Sequence, residues 1–476
     1  MEKEIRHKMK KKVLLCVLPY YDEIFSNALV KVAVSRKTMM LGIASVAGEL
    51  RKNGFVCRII DLNLTVDPES ALKNTLQEFL PDYAGMTITT PLVSLGKKYS
   101  KLIKDTMPSC ITVAGGPHAS VLPEELLKQS HFDIAVKGEG ELTMRELVSG
   151  APLEKITGIS FKAGNTIASN PPRPLITDLD TLADPAYELY DIKKYVHPKM
   201  VARRNPVAAL ETSRGCFGKC SYCNKSIFDT KYRMKSPQRV VQDFIHVISL
   251  GFREIHIVDD VFSGDMARAK NICKLLLSRK LDITWYPRGG LRVDRVDKEL
   301  IYLMRQAGCY RIPFGIESGS QKILDTIGKG ITLAQVRKAV DLAKAQGMEV
   351  EGYFMLGLPN DTLETLKETL DFALSLNIDY AKFAITVPLP GTLLFKEWDA
   401  AGIIKTKDWN KYNFASSPRD LYEHPGLNWK DIDYYYRHAH RSFYLRPSFV
   451  MRRFRNSFKN GALIEDIKSM LQVKWF

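Results

Sequence analysis

The chain has 476 residues, 45% of them apolar and 26% charged, with a formal net charge of +16. That length exceeds what one hydrophobic core serves, and the apolar share is enough for sizeable cores. No apolar run approaches the ~20 residues that a bilayer span needs, and the basic excess is not accompanied by a nucleic-acid-binding motif, so no nucleic-acid partner is expected.

The first twelve residues carry +4 and are followed by the apolar run Val13 to Leu18. The run meets Pro19-Tyr20-Tyr21-Asp22-Glu23 instead of a small-residue cleavage site, so it reads as a first buried strand and not as a signal peptide. Val56 to Asp61, Tyr83 to Ile88, Ile111 to Ala114 and Phe132 to Val136 repeat the strand signal. Between them Met39 to Lys52, Glu69 to Phe79, Leu95 to Met107 and Pro123 to Lys128 have helical spacing. Such βαβ repetition predicts an α/β domain over residues 1–150 built on a doubly wound parallel sheet. Its ligand site is expected beyond the strand carboxyl ends, at the switch in strand order. Gly115-Gly116-Pro117 and Gly138-Glu139-Gly140 fall at such ends, where glycine permits close approach of a ligand to the backbone. Taken alone, each is equally an ordinary tight turn.

Residues 151–205 read as a connector, because Asn170-Pro171-Pro172-Arg173-Pro174 and Asp184-Pro185 suit neither helix nor central strand. From Val207 the alternation resumes. Strands are predicted at Val207 to Thr212, Glu254 to Asp259, Ile283 to Tyr286, Tyr310 to Phe314, Glu349 to Met355 and Tyr380 to Thr386. A capping box at Thr332 to Gln335 opens one helix, and Asp361 with Glu364 opens another. Six βα units over residues 206–400 predict a (β/α)6 partial barrel with its chemistry at the strand carboxyl ends. Residues 401–476 form a basic, aromatic-rich helical extension, with +7 over residues 437–476. Packing of its aromatics on the barrel is the favoured reading, and contact with an anionic membrane surface or a phosphate-bearing substrate is the rival.

Eight cysteines are present, and three of them form C-x-x-x-C-x-x-C at Cys216, Cys220 and Cys223. Three thiolates from one short loop leave a 4Fe-4S cluster one ligand short, with one iron open to a small molecule. Zinc is disfavoured, since no second cysteine pair lies nearby. Cys16, Cys57, Cys110, Cys273 and Cys309 stand isolated in apolar stretches and read as core in a reducing compartment.

The cysteine triad, the strand before it, and Ala114-Gly115-Gly116-Pro117-His118, Lys137-Gly138-Glu139-Gly140-Glu141, Gly315-Ile316-Glu317-Ser318-Gly319-Ser320, Gly357-Leu358-Pro359 and Pro388-Leu389-Pro390-Gly391-Thr392 together resemble the radical S-adenosylmethionine (SAM) enzymes that carry an N-terminal cobalamin-binding domain. The likeness extends from about residue 13 to 445. It implies a flavodoxin-like Rossmann domain for cobalamin, a radical SAM partial barrel and a helical tail. It implies that the loops holding Thr89, Gly115, Gly116, Gly138 and Glu139 receive cobalamin. None of the nine histidines stands in a D-x-H-x-x-G context, so no histidine is expected on the cobalt. Around the cluster the resemblance gives Tyr222 to the adenine, Asp259 and Asp260 to the SAM amino group, Arg292 to its carboxylate, and Glu317, beside Ser318, to its ribose or amine. For the two aspartates helix capping is the rival role, and for Arg292 an ion pair with Asp294 or Asp297.

The resemblance implies reductive cleavage of SAM and, with cobalamin, methylation of an unactivated carbon on a small-molecule or lipid substrate. A flavodoxin or ferredoxin is the implied electron donor. Cyclisation, ring contraction or carbon-carbon coupling is the alternative outcome, and a noncatalytic cobalamin sensor is disfavoured by the intact triad. Trp398, Trp409, Tyr412, Tyr434, Tyr435 and Tyr436 suit an apolar pocket and packing equally. A cytoplasmic protein is expected, peripheral to the inner face of the membrane if the tail binds lipid.

Overall fold

The computed structural model describes residues 10–20, 38–412 and 417–459. Residues 10–20, 38–194 and 224–229 form one compact unit, and 195–223, 230–412 and 417–459 a second. The basic residues 1–9 and the chain beyond 459 lie outside the described residues.

In the first unit, β1 (Lys12–Val17), β2 (Val56–Asp61), β3 (Tyr83–Thr87), β4 (Ile111–Gly115) and β5 (Ile134–Val136) pair in parallel in the order β2-β1-β3-β4-β5. Continuous apolar runs are what strands covered on both faces require, and Val13 to Val17 are almost fully buried. The crossovers are α1 (Leu41–Lys52), α2 (Pro68–Phe79), α3 (Val93–Thr106), the short α4 (Pro117–Val121) and α5 (Pro123–Lys128), with α6 (Glu141–Val148) after β5. This is the flavodoxin-like order, whose switch point lies between β1 and β3.

The stretch expected to be a connector carries more structure than that. β6 (Ile159–Ala163) and β7 (Thr166–Ser169) extend the sheet as an antiparallel hairpin, β6 pairing with β5. The chain turns between them on Gly164-Asn165, with Gly164 at φ +62°.

The second unit holds β8 (Val207–Leu210), the short antiparallel pair β9 (Ser213–Arg214) and β10 (Arg233–Met234), then β11 (Glu254–Ile257), β12 (Thr284–Pro287), β13 (Arg311–Glu317), β14 (Glu349–Leu356) and β15 (Tyr380–Ile385). Parallel triplets β12-β11-β8 and β13-β14-β15 are joined by parallel bridges Trp285 to Cys309 and Leu291 to Phe314. The six long strands thus follow chain order, as an open (β/α)6 barrel requires. Helices α7 (Pro237–Ser249), α8 (Met266–Arg279), α9 (Lys298–Gln306), α10 (Gln321–Thr326), α11 (Leu333–Ala345) and α12 (Leu363–Ser375) intervene, and α13 (Leu393–Ala400), α14 (Trp429–Tyr444) and α15 (Pro447–Lys459) follow. Thr332 and Gln335 form the expected capping box. For α12 the box lies one residue later than expected, on Thr362 and Thr365. Asp361 instead accepts hydrogen bonds from Leu358 N (2.8 Å) and Thr365 Oγ1 (2.7 Å).

Candidate active site

The cysteine loop leaves the carboxyl end of β8 and is clamped before it begins. Buried Asp259, just past β11, accepts from Thr212 N (2.6 Å), Thr212 Oγ1 (2.5 Å) and Ser213 Oγ (2.7 Å). Its neighbour Asp260 accepts from Gly215 N (3.0 Å). Arg268 on α8 donates to Thr212 O (2.6 Å) and Lys235 O (2.7 Å), tying the two ends of the β9–β10 ribbon together. Burial pushes the Asp259 carboxyl up, and the Thr212 and Ser213 hydrogen bonds and the Arg268 charge only partly oppose it. The cap of α8 is Asp265, so neither Asp259 nor Asp260 takes the capping role. With both its oxygens accepting from the chain, Asp259 acts here as an anchor of the loop's entry.

Cys216, Cys220 and Cys223 form no disulfide and are at least partly exposed. Burial pushes Cys57, Cys110 and Cys273 up to about 12, and Cys16 and Cys309 rise for the same reason. Gly218 N lies 3.4 Å from Cys216 Sγ. A Cβ at Gly218 would stand 3.2 Å from Arg292 Nη1, 3.4 Å from Cys216 Sγ and 3.9 Å from Cys220 Sγ. Two of the sulfurs therefore converge on one bare backbone position. Among the described residues no three His, Cys, Asp or Glu side chains are drawn into a ready-made metal cage. The donor set itself, three soft thiols on one loop without a fourth, fits an iron-sulfur cluster and falls short of a structural zinc site.

Glu317, Lys329 and Arg292 lie around this loop, and Tyr222 belongs to it. Glu317, at the end of β13, is a non-glycine residue at φ +70°, where the β13–β14 register shifts. Its Oε1 accepts from Lys329 Nζ at 2.7 Å, both side chains being about one-tenth exposed. Tyr222 hydrogen-bonds to Glu317, and its phenol is pushed up by burial and then by the charges of Glu317, Cys220 and Cys223. Arg292 pairs with Asp294 through Nε (3.0 Å) and Nη2 (3.2 Å) and also donates to Lys329 O (3.1 Å). The Asp294 partner is thus present, while Nη1 is the guanidinium nitrogen nearest Gly218. Asp297 is occupied elsewhere, capping α9 and pairing with Lys270. Ser318 is fully buried against Thr369 Oγ1 (3.0 Å) and belongs to the packing of α12. Lys329 and Arg268 were not singled out from sequence. Only the flanking glycines of Gly328-Lys329-Gly330 hinted that this lysine turns inward.

In the first unit the ends of β3, β4 and β5 are laced together. Ile88 N donates to Gly115 O (2.7 Å) and His118 N to Ile88 O (3.0 Å). Ser120 Oγ donates to Gly116 O (2.9 Å) and accepts from Gly138 N (3.0 Å), a link that sequence reading missed. Gly116 lies at φ +91°, and a Cβ there would stand 2.9 Å from Thr87 Cγ2 and 3.1 Å from Ile88 N and O. Gly138 is also left-handed, at φ +73°. Thr89 is half-buried in the β3 loop, and Glu139 accepts from Ile176 N (2.7 Å). Bare backbone at adjoining strand ends beside the switch point fits a large planar ligand such as a corrin. His118 Nδ1 lies 3.3 Å from Thr90 Oγ1, and burial pushes its imidazole down to about 4, so it stays neutral inside the loop.

Comparison with known proteins follows the same division. Residues 210–373 match the radical SAM superfamily, and residues 29–148 the B12 binding domain. An uncharacterized methyltransferase of Pyrococcus horikoshii is 34% identical over 452 residues, spanning 93% of this chain and 95% of that protein. The chain belongs to the cobalamin-dependent radical SAM family. The anaerobic magnesium-protoporphyrin IX monomethyl ester cyclase of Rubrivivax gelatinosus is 28% identical, over 91% of this chain and 80% of its own. A structure of TsrM from Kitasatospora setae, a radical SAM methyltransferase with cobalamin and a 4Fe-4S cluster bound, superposes with a TM-score of 0.71 at 19% identity, over 92% of this chain and 90% of that one. At that identity the likeness speaks for the fold. The radical SAM and B12-binding modules give this enzyme three cofactors, a 4Fe-4S cluster, SAM and cobalamin. A radical SAM enzyme also needs an electron donor and a substrate.

The tail of this radical SAM enzyme packs on its own barrel. Tyr444 OH donates to Ala381 O (2.6 Å), and Arg446 and Arg452 each donate to Ile378 O (3.2 and 3.1 Å). Trp398, Trp409 and Tyr412 are buried, the rings of Trp409 and Tyr412 tilted against each other at 4.9 Å between centroids. Tyr435 and Tyr436 lie against the apolar cluster of Leu356, Leu366 and Ile432, while Tyr434 is exposed. No helix of the described residues is long and apolar enough to cross a membrane.

Proposed function

We propose that the chain methylates an unactivated carbon of a small-molecule or lipid substrate, with Cys216, Cys220 and Cys223 holding the cluster. The observation that carries this reading is the clamped cysteine loop at the barrel mouth, where Gly218 lies against two of the three thiols and beside Arg292. When bound, the cluster supplies the electron that opens the SAM sulfonium, and cobalamin supplies a methyl group to the substrate.

The chain's own share is holding and excluding. Asp259, Asp260 and Arg268 fix the loop's entry, so the three sulfurs are presented by a rigid strand end. We assign Arg292 to the SAM carboxylate, Tyr222 to the border of the adenine, and Glu317 to the ribose or amine. Glu317 suits that role because a buried carboxylate at a strained backbone position accepts hydrogen bonds without rearranging. Thr89, Gly115, Gly116, Gly138 and Glu139 are assigned to the corrin loops of the first unit. A flavodoxin- or ferredoxin-like protein is the assigned electron donor, and the free, buried cysteines suit a reducing cytoplasm. The basic tail is assigned to barrel packing ahead of membrane contact, because Arg446 and Arg452 are spent on backbone oxygen.

The test is anaerobic expression with iron, sulfide and hydroxocobalamin, followed by absorption spectra and product mass. Absorption from both the cluster and the corrinoid, with a product heavier by one CH2, supports the reading. A product lighter by hydrogens favours cyclisation, the outcome named for the Rubrivivax relative. A colourless protein that holds zinc sinks both.

A further inference from the structure

A turn between two glycines carries a buried ammonium that pairs with a glutamate at a strained backbone position, Glu317. Gly328 and Gly330 flank Lys329 at φ +67° and +66°, both in the left-handed region that other residues enter only at a cost. A Cβ at Gly328 would stand 3.0 Å from Lys219 O, and Ser221 N donates to Ile327 O at 3.0 Å. The turn carrying Lys329 is therefore stacked on the loop backbone on either side of Cys220. On its other side, a Cβ at Gly315 would come within 2.9 Å of Lys329 Nζ and 2.8 Å of Glu317 Oε1, so a side chain there would push the pair aside. A buried ion pair is seldom a net source of stability, because removing two charges from water costs about what their attraction returns. So much backbone accommodation for one ammonium points to a use outside folding.

We infer that Lys329, pressed onto the cysteine loop by the Gly328–Gly330 turn, is a positioning residue that offsets negative charge at Cys220 and thereby raises the reduction potential of the cluster. This rests on the proposed function above. A thiolate-bound cluster gains one negative charge when the low-potential donor delivers its electron, and no bond changes. A fixed cation in a poorly hydrated place stabilises that reduced form, net charge around the sulfurs being one of the levers on cluster potential. The Glu317 carboxylate, 2.7 Å from Nζ, keeps the Lys329 ammonium charged in this buried place. Arg292, which donates to Lys329 O, adds a second cation beside Gly218.

The experiment is a potentiometric titration of the reconstituted full chain without SAM, followed by electron paramagnetic resonance. Lys329→Met should move the midpoint to more negative potential at unchanged iron content, and Lys329→Arg should restore it. Glu317→Gln should move it the opposite way, and the double variant should fall between the singles. An unmoved midpoint in Lys329→Met, or shifts of one sign in both single variants, overturns the inference, since a merely loosened loop would give the latter. If Lys329→Met loses its iron, the upward shift of Glu317→Gln and the wild-type midpoint of Lys329→Arg decide the matter. A wild-type chain that takes up no cluster sinks the proposed function itself, which separates the two failures.

Discussion

Asp259 accepts three hydrogen bonds from Thr212 and Ser213 where water has little access, so its removal leaves three donors without partners at the entry to the cysteine loop. Asp259→Ala is expected to cost about 3 kcal/mol and to lower iron retention after anaerobic gel filtration. Asp259→Asn, which keeps one acceptor oxygen, should fall between the variant and the wild type. Full iron retention in Asp259→Ala would remove its anchoring role. Asp361 offers a titration at the same scale. Burial pushes its carboxyl from 3.8 up to about 6, against the hydrogen bonds from Thr365 and Leu358. A carboxyl raised on folding stabilises the protein in its protonated form, and that contribution disappears as pH climbs through about 6. Stability should therefore gain from this group by up to about 3 kcal/mol between about pH 7 and pH 4, read as a rising melting temperature. Asp361→Asn should flatten that slope, and an unchanged slope would assign it elsewhere. The cysteine spacing was legible because three soft ligands at short intervals have few other uses. The hydrogen bonds of Asp259 to Thr212 and Ser213 were not legible, since a carboxylate at a strand end looks the same whether it meets a ligand or a backbone amide. Lys329 was not legible, because lysine ordinarily marks a solvated turn and its burial depends on Glu317, twelve residues earlier.

Strand-end glycines act through the elements they join. Gly116 separates β4 from α4 at φ +91° with the β3 loop against it, whereas Gly150 after α6 has φ +84° and open space. Gly116→Val is expected to abolish corrinoid uptake while leaving the iron content of the second unit intact. Gly150→Ala should cost only about 1 kcal/mol of backbone strain and leave corrinoid uptake unchanged. Bound corrinoid absorbance after desalting reads both, and equal uptake in the two variants would move the ligand away from the β3–β4 loops. Strands such as Val13 to Val17 and Val207 to Leu210 were legible because each is an apolar run too short for a helix. The β6–β7 hairpin was hidden by the prolines that follow it, although Ala163-Gly164-Asn165-Thr166 carries a two-residue hairpin signal between strand formers. The α12 cap shifted from Asp361 to Thr362 for a related reason. Asp361 turns back to Leu358 N and so is not available to the helix terminus.

Charge is distributed over the molecule so that the middle of the chain carries +5 of its +16 and the two ends carry the rest. Such ends invite a membrane reading, yet three arginines of the described tail are spent internally. Arg446 and Arg452 both donate to Ile378 O, Arg453 donates to Tyr380 OH (2.9 Å), and Arg452 lies 3.6 Å from Asp379. These contacts gather on the segment that leads into β15, the last strand of the barrel, beyond which no strand lies among the described residues to hold its outer side. Tyr444 supplies part of that hold by bonding to the backbone of Ala381 in both directions, donating to its carbonyl and accepting from its amide. Truncation after Leu445 keeps Tyr444 and removes the arginines, leaving the Ile378 carbonyl without the charged donors that now satisfy it. The expected loss is about 1 to 3 kcal/mol, seen as a melting temperature lower by several degrees with cluster absorbance retained and partition onto anionic vesicles unchanged. An unaltered melting temperature together with lost vesicle binding would reassign the tail to a lipid surface. The arginines on Ile378 would then be a resting arrangement that the membrane displaces.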